Sequence, residues 1–254
     1  MRRFFNPVIS EKYFNKGELI TLDGEEAHHA LKVLRIGKGD TLILLNGKGE
    51  EFLCRCVDTQ KNRLILTAIE YTKHPPSNYQ VVLIQSIPKG RLIESIIEKS
   101  IELGVSRIVP LITQRVVPNW ENSENMKRVE RWRQIAISAM KQCGQTYLPQ
   151  IDLPVKIEDY LSKNEKFELS LVCALSGKTA HLRSHIEQFK QKHCRNPESV
   201  SIWIGPEGDF TPEELTLIKN FGALPITLGN LVLRVETASL CALSIVNYEL
   251  TISQ

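Results

Sequence analysis

Two apolar runs, Ser201–Ile204 and Leu224–Leu228, are each too short for a helix and each run straight into a glycine. Runs of this length bounded by turn residues read as buried strands. Between them lies a segment with a fully specified helix start. Thr211 is placed as N-cap, Pro212 at the first helical position and Glu214 three residues after the cap, which completes a capping box. Phe210 and Leu215 sit at the two ends of a hydrophobic staple, and Gly222 is placed to end the helix. Strand, loop, helix, strand is the repeating unit of an α/β sheet, in which ligands bind at the strand ends.

The loops after these strands carry the chemistry. Gly205-Pro206-Glu207-Gly208 forms a tight loop where backbone can approach a ligand closely. Gly229 follows the second strand, and Leu233-Arg234-Val235-Glu236-Thr237-Ala238 then sets a charged pair inside an apolar segment. Two readings fit. The glycines can merely serve turns while Arg234 and Glu236 form a surface ion pair. Alternatively the loops form a ligand site, in which a side chain at Gly205 or Gly229 would fill ligand space. An arginine desolvated beside such a loop calls for an anionic partner, either Glu236, another carboxylate, or the substrate.

The chain ahead of this stretch divides at Lys73-His74-Pro75-Pro76-Ser77, where paired prolines stop regular structure. Residues 1–72 read as a β-rich domain, with strands at Thr41–Asn46, Glu51–Val57 and Arg63–Ile69 and a turn at Gly47-Lys48-Gly49. A polar helix is expected over Glu25–Leu34. His28-His29 on it reads as a solvated face sooner than a metal pair. Arg2, Arg3, Lys32, Arg35 and Lys38 together suit a phosphate track, with Phe4 or Phe5 available to stack on a base, and equally suit plain solvated surface.

Residues 73–254 alternate strand and helix. Tyr79–Ser86 and Arg107–Ile112 are strand-like, and Leu92, Ile93, Ile96, Ile97 and Ile101 fall at helical spacing between them. The loop Ile87-Pro88-Lys89-Gly90-Arg91 is no G-x-G-x-x-G, and no phosphate-binding P-loop occurs, which counts against a nicotinamide or other nucleotide enzyme. A helix over Asn125–Cys143 has a basic surface. A strand at Leu169–Leu175 and a helix at His181–Lys192 follow, and a helix over Thr237–Leu250 is apolar around much of its circumference, as suits burial in a core or a partner. The net charge of +3 permits a polyanionic partner without requiring one. The six cysteines lack C-x-x-C spacing, so neither a metal nor a disulfide is expected. Neither a signal peptide nor a stretch of transmembrane length is apparent, and the expected location is cytoplasmic.

The segments IGPEGDFTPEEL and LG-x-x-x-LR-x-ETA, in this order near the C-terminus, resemble the signature loops of the SPOUT-superfamily RNA methyltransferases. Within it they are similar to the small-subunit (16S) ribosomal RNA uridine-N3 methyltransferase family, and the likeness covers nearly the whole chain. The resemblance implies a C-terminal SPOUT-type α/β domain with a trefoil knot, preceded by a small PUA-like β-barrel domain. His29-Ala30-Leu31-Lys32-Val33-Leu34-Arg35 is similar to the H-x-x-x-VLR motif of that domain. It further implies S-adenosylmethionine as cofactor, held by Leu175, Ser176, Ile204, Gly205, Pro206, Glu207, Gly208, Leu228, Gly229, Leu233, Arg234 and Thr237. Arg234 and Glu236 would be catalytic, with Glu207 an alternative base. Arg2, Arg3, Lys32 and Arg35 would bind small-subunit ribosomal RNA, and the last helix would join a homodimer. Gln145 and Leu231 stand where the family commonly has arginine. These departures leave room for a non-catalytic RNA-binding or ribosome-assembly factor that retains the fold.

Overall fold

The computed structural model describes residues 2–15, 17–115, 123–175 and 177–251, with the side chains of residues 123–125 left aside. The chain forms two compact units. The first comprises Met1–Pro76 and Met140–Leu148, and the second Ser77–Ala139 and Pro149–Gln254. The expected division after residue 72 thus falls slightly later, because the last strand of the first unit continues to Lys73. The inclusion of residues 140–148 in this unit has no local signal in the sequence.

The first unit holds β1 (Arg3–Phe5), α1 (Glu11–Asn15), β2 (Ile20–Leu22), α2 (Gly24–His28), a π-helical turn over His29–Val33, β3 (Thr41–Leu45), β4 (Glu50–Gln60) and β5 (Arg63–Lys73). Its sheet order is β1-β3-β4-β5-β2, antiparallel except for β1, which runs parallel to β3. Strand alternation sends Phe52, Cys54 and Cys56 of β4 inward against Phe4, Leu42, Leu44, Leu64 and Leu66. The helix expected over Glu25–Leu34 is broken into α2 and the π turn, which bury Ala27 and Ala30 while His28 and His29 stay exposed. Arg3 does more than face solvent: its guanidinium donates to the carbonyls of Lys141 (3.4 Å) and Gln142 (3.5 Å) at a helix C-terminus. Cations are favoured at such an end.

The second unit is an α/β domain built on a parallel sheet. Its elements are β6 (Gln80–Ser86), α3 (Leu92–Glu102), β7 (Arg107–Ile112), α4 (Ser123–Cys143, whose last turn belongs to the first unit), β8 (Gln150–Ile151), β9 (Val155–Lys156) and α5 (Ile157–Ser162). There follow β10 (Leu169–Cys173), β11 (Ala180–His181), α6 (Leu182–His193), β12 (Ser199–Ile204), α7 (Pro212–Asn220), β13 (Leu224–Thr227) and α8 (Val235–Thr251). Strand order is β11-β13-β10-β12-β6-β7-β8, with β9 also on β7, and every recorded pairing is parallel. The central strands are near-continuous apolar runs because both faces are covered. Ser170 Oγ, within β10, accepts from both Ser201 Oγ (2.7 Å) and Trp203 Nε1 (3.1 Å). One face of α8 (Val235, Ser239, Ala242, Leu243, Val246 and Leu250) is buried, and Ser239 Oγ donates to Gln85 Oε1 at 2.5 Å. No helix among the described residues is long and apolar enough to cross a membrane.

Candidate functional site

From β12 the connections diverge. The strand pairs with β6 on one side and β10 on the other, and the chain leaving it through α7 returns as β13 beyond β10. The loops at the carboxyl ends of β10, β12 and β13 therefore meet at one place, the usual location of a ligand site in an open α/β sheet. A cavity of about 680 Å³ lies there, lined by Leu92, Cys173–Leu175, Thr179, Ile204–Glu207, Asp209, Ile226–Glu236 and Ala238. That volume suits a nucleoside-sized ligand.

The wall after β12 is firmly held. The capping box of α7 forms as the sequence requires: Thr211 Oγ1 accepts from Glu214 N (3.2 Å) and Glu214 Oε2 accepts from Thr211 N (2.8 Å). Glu214 is only 2% exposed, and its second oxygen accepts the N–H of Gln114 at 2.8 Å. Gly205 is needed for a close approach that its neighbours in sequence do not signal. A Cβ there would lie 3.0 Å from Asp209 Oδ1 and 3.1 Å from Phe210 N. A side chain at Gly205 thus presses on the loop's own atoms, a steric demand additional to the expected loss of ligand space. Glu207 accepts the N–H of Lys89 at 2.9 Å, which makes it a brace for the loop after β6. Arg115 donates to the carbonyls of Gly208 and Asp209.

The wall after β13 is open. Gly229 has φ +139°, and a methyl group added to it would have nothing within 4 Å, so only its backbone conformation demands glycine. Leu231 and Val232 are 81% and 77% exposed. Arg234 is exposed too and, among the described residues, has no recorded ion pair with Glu236 or any other carboxylate. The desolvation argued from its apolar neighbours is therefore absent in this chain by itself, because the segment around it lies at the surface. Glu236 is half-buried, lines the cavity and has no recorded hydrogen bond among the described residues.

Of the residues expected to hold a cofactor, Leu175, Ile204, Gly205, Pro206, Glu207, Leu228, Gly229, Leu233 and Arg234 line the cavity. Gly208 does not, being turned toward the Arg115 side chain. Neither does Thr237, which sits exposed at the start of α8 while Val235, Glu236 and Ala238 contribute to the lining. Ser176 lies outside the described residues. In the other unit Arg2, Lys32 and Arg35 are exposed, whereas Arg3 is half-buried and occupied by the two carbonyls above. Among the cavity residues that the sequence did not single out, Cys173 and Asp209 bear most on the chemistry. Cys173 ends β10, and burial, with the neighbouring Cys241 and Asp209 adding to it, pushes its thiol up to about 12, so it is an inert wall. Asp209 has φ +61° and accepts the N–H groups of Leu175 (3.1 Å) and Phe210 (2.8 Å). An aspartate closing a glycine loop two residues before an N-cap is a turn-forming signal by which it could have been found.

These features define a ligand-binding α/β domain whose site is made of strand-end loops. Residues 75–247 match the RNA methyltransferase domain family, and residues 22–69 match the RNA methyltransferase PUA domain. A ribosomal RNA small subunit methyltransferase E from Mycobacterium bovis is 31% identical over 91% of this chain and 86% of its own length. A Legionella pneumophila protein solved in complex with the bound cofactor S-adenosylmethionine superposes with a TM-score of 0.86, at 31% identity over 97% of both chains. A ribosomal RNA small subunit methyltransferase E from Neisseria gonorrhoeae, also bound to S-adenosylmethionine, gives 0.84 at 27% identity over 98% of both. The chain belongs to the RNA methyltransferase family, in the group of the ribosomal RNA small subunit methyltransferases E.

Proposed function

We propose that this protein is an S-adenosylmethionine-dependent methyltransferase acting on N3 of a uridine in small-subunit ribosomal RNA. The observation that carries the reading is the cavity where the IGPEG and LG-x-x-x-LR-x-E segments converge at the ends of β12 and β13. Its size and its open backbone at Gly229 fit the cofactor, and apolar Leu92, Ile226 and Leu233 give surface for the adenine ring. When bound, S-adenosylmethionine supplies an electrophilic methyl group on a sulfonium. The protein's own residues then orient, exclude water and handle one proton.

Uridine N3 carries a proton at neutral pH and is engaged in Watson–Crick pairing, so the base must be unpaired or flipped to be reached. Arg234, exposed and without a recorded carboxylate partner among the described residues, is free to face the uridinate and favour its charged form. Glu236, which lines the cavity and has no recorded side-chain hydrogen bond among the described residues, would accept the N3 proton, and Glu207, which accepts Lys89 N–H, would serve the loop. Exposed Arg2, together with exposed Lys32 and Arg35 of the PUA-matched region, would supply phosphate contacts. We further infer that the segment after β13 threads as a trefoil knot, that α8 with its exposed Tyr248 is covered in a homodimer, and that the protein works in the cytoplasm.

The test is to incubate the purified protein with S-adenosylmethionine and small ribosomal subunits or their RNA, and map modified nucleosides by mass spectrometry. One 3-methyluridine at a single position is expected. Cofactor binding without methylation under either substrate form would favour the assembly-factor reading.

A further inference from the structure

Asp209 is held in a left-handed conformation that residues with side chains rarely adopt, and nothing in the proposed chemistry uses its carboxylate. A turn aspartate ordinarily bonds its own neighbours, and Oδ1 does so with Phe210 N–H at 2.8 Å. Oδ2 does something else. It accepts the N–H of Leu175 at 3.1 Å, across 34 residues, from the loop that leaves β10. The last recorded ladder bond on that segment is Ala174 N–H to Ile226 O, so beyond Ala174 the strand's own pairing has ended. Gly205 backs directly onto the same carboxylate, where even a methyl group would press on Oδ1. Arg115 grips the backbone oxygens of Gly208 and Asp209 from the far side. Leu175, Gly205 and Asp209 all line the cavity.

We propose that Asp209 is a positioning residue for the donor site: its two carboxylate oxygens tie the loop after β10 to the loop after β12, so that two walls of the cavity are set before ligand arrives. The role needs two acceptor oxygens on one short side chain at a left-handed position, and aspartate meets both requirements. This inference rests on the assignment of the cavity to S-adenosylmethionine.

The test compares full-length wild type with Asp209→Gly and Asp209→Asn. Glycine takes the left-handed backbone without strain and deletes both bonds; asparagine keeps one acceptor oxygen. In ligand-free protein, Asp209→Gly should speed amide exchange at Leu175 by about tenfold or more, as expected when a local hold is lost, with core-strand exchange and thermal midpoint unchanged. S-adenosylmethionine should bind about tenfold more weakly by titration calorimetry, the effect falling on its KM more than on kcat. Asp209→Asn should lie between glycine and wild type in both measurements. Unchanged Leu175 exchange would overturn the proposal, as would faster exchange with undiminished affinity. So would an affinity loss matched by a fall in thermal midpoint and in RNA binding, which marks general destabilisation. Wild type that fails to bind S-adenosylmethionine would instead remove the functional assignment itself, and this inference with it.

Discussion

The two glycine loops of the cavity look alike in sequence and differ sharply in structure. The loop after β12 is buried at Gly205 and Pro206 and is held by Asp209, Glu207, Arg115 and the buried Glu214 beyond it. The loop after β13 has exposed Gly229, Asn230, Leu231, Val232 and Arg234, and its recorded side-chain bonds are those between Thr227 Oγ1 and Gly229. Few buried contacts and few bonds mean that opening costs little free energy. One wall is therefore held by the fold itself, and the other is expected to be completed on binding. The built wall gives shape; the open wall carries Arg234 and Glu236, the groups proposed to do the chemistry.

The largest expected effect tests the open wall. Arg234→Ala should lower the single-turnover methylation rate by roughly 100-fold, the magnitude typical of losing one group that stabilises developing charge. Because the residue is exposed and unpaired among the described residues, stability should change by no more than about 0.5 kcal/mol. Raising the pH should partly restore the rate, since solvent then supplies the deprotonated base. A loss accounted for entirely by weaker cofactor binding would make Arg234 a holding residue, and the division between walls would fail.

Next come the glycines. Gly205→Ala forces a methyl group against Asp209 and Phe210 and should cost about 1–3 kcal/mol in chemical denaturation. Gly229→Ala meets open space and carries only backbone strain, on the order of 1–2 kcal/mol if the loop cannot relax. Both should weaken S-adenosylmethionine binding, but only the first should lower the thermal midpoint clearly. Equal destabilisation would show that the second loop is as rigid as the first.

The smallest effect is a control at the opposite ends of the same strands. Glu168, just before β10, is held down to about 2 by hydrogen bonds from Arg195 and from the backbone N–H of Glu198. A carboxylate whose folded value is depressed contributes stability above its ordinary value near 4.5, and that contribution is lost as pH falls toward 2. The pair is well exposed, so Arg195→Ala should remove less than about 1 kcal/mol and flatten the acid limb of the stability curve. Cofactor affinity at neutral pH should not change.

What was legible in the sequence was mostly local. The capping box at Thr211 and Glu214 and the apolar strands on either side of α7 follow from spacing alone, and all three form. The short strands β1, β2, β8, β9 and β11 were not legible, since two or three residues carry no periodicity and are defined by distant partners. The same holds for residues 140–148, where Gly49 N–H bonds Thr146 O and Tyr147 Oη donates to His74 O. The helix over Glu25–Leu34 was read from polar composition, which does not register a change of hydrogen-bond pitch. At the site, the motif located the cavity walls, but the hydropathy of its neighbours said nothing about the exposure of Arg234. The bond from Leu175 to Asp209 joins segments that only the sheet order brings together.

The direct test of the two-wall account is amide hydrogen exchange across residues 205–210 and 228–234, with and without saturating S-adenosylmethionine. The account predicts slow exchange in the first segment under both conditions, and fast exchange in the second that slows strongly on binding. Comparable protection of both segments in the free protein, or protection gained equally in both on binding, would contradict it.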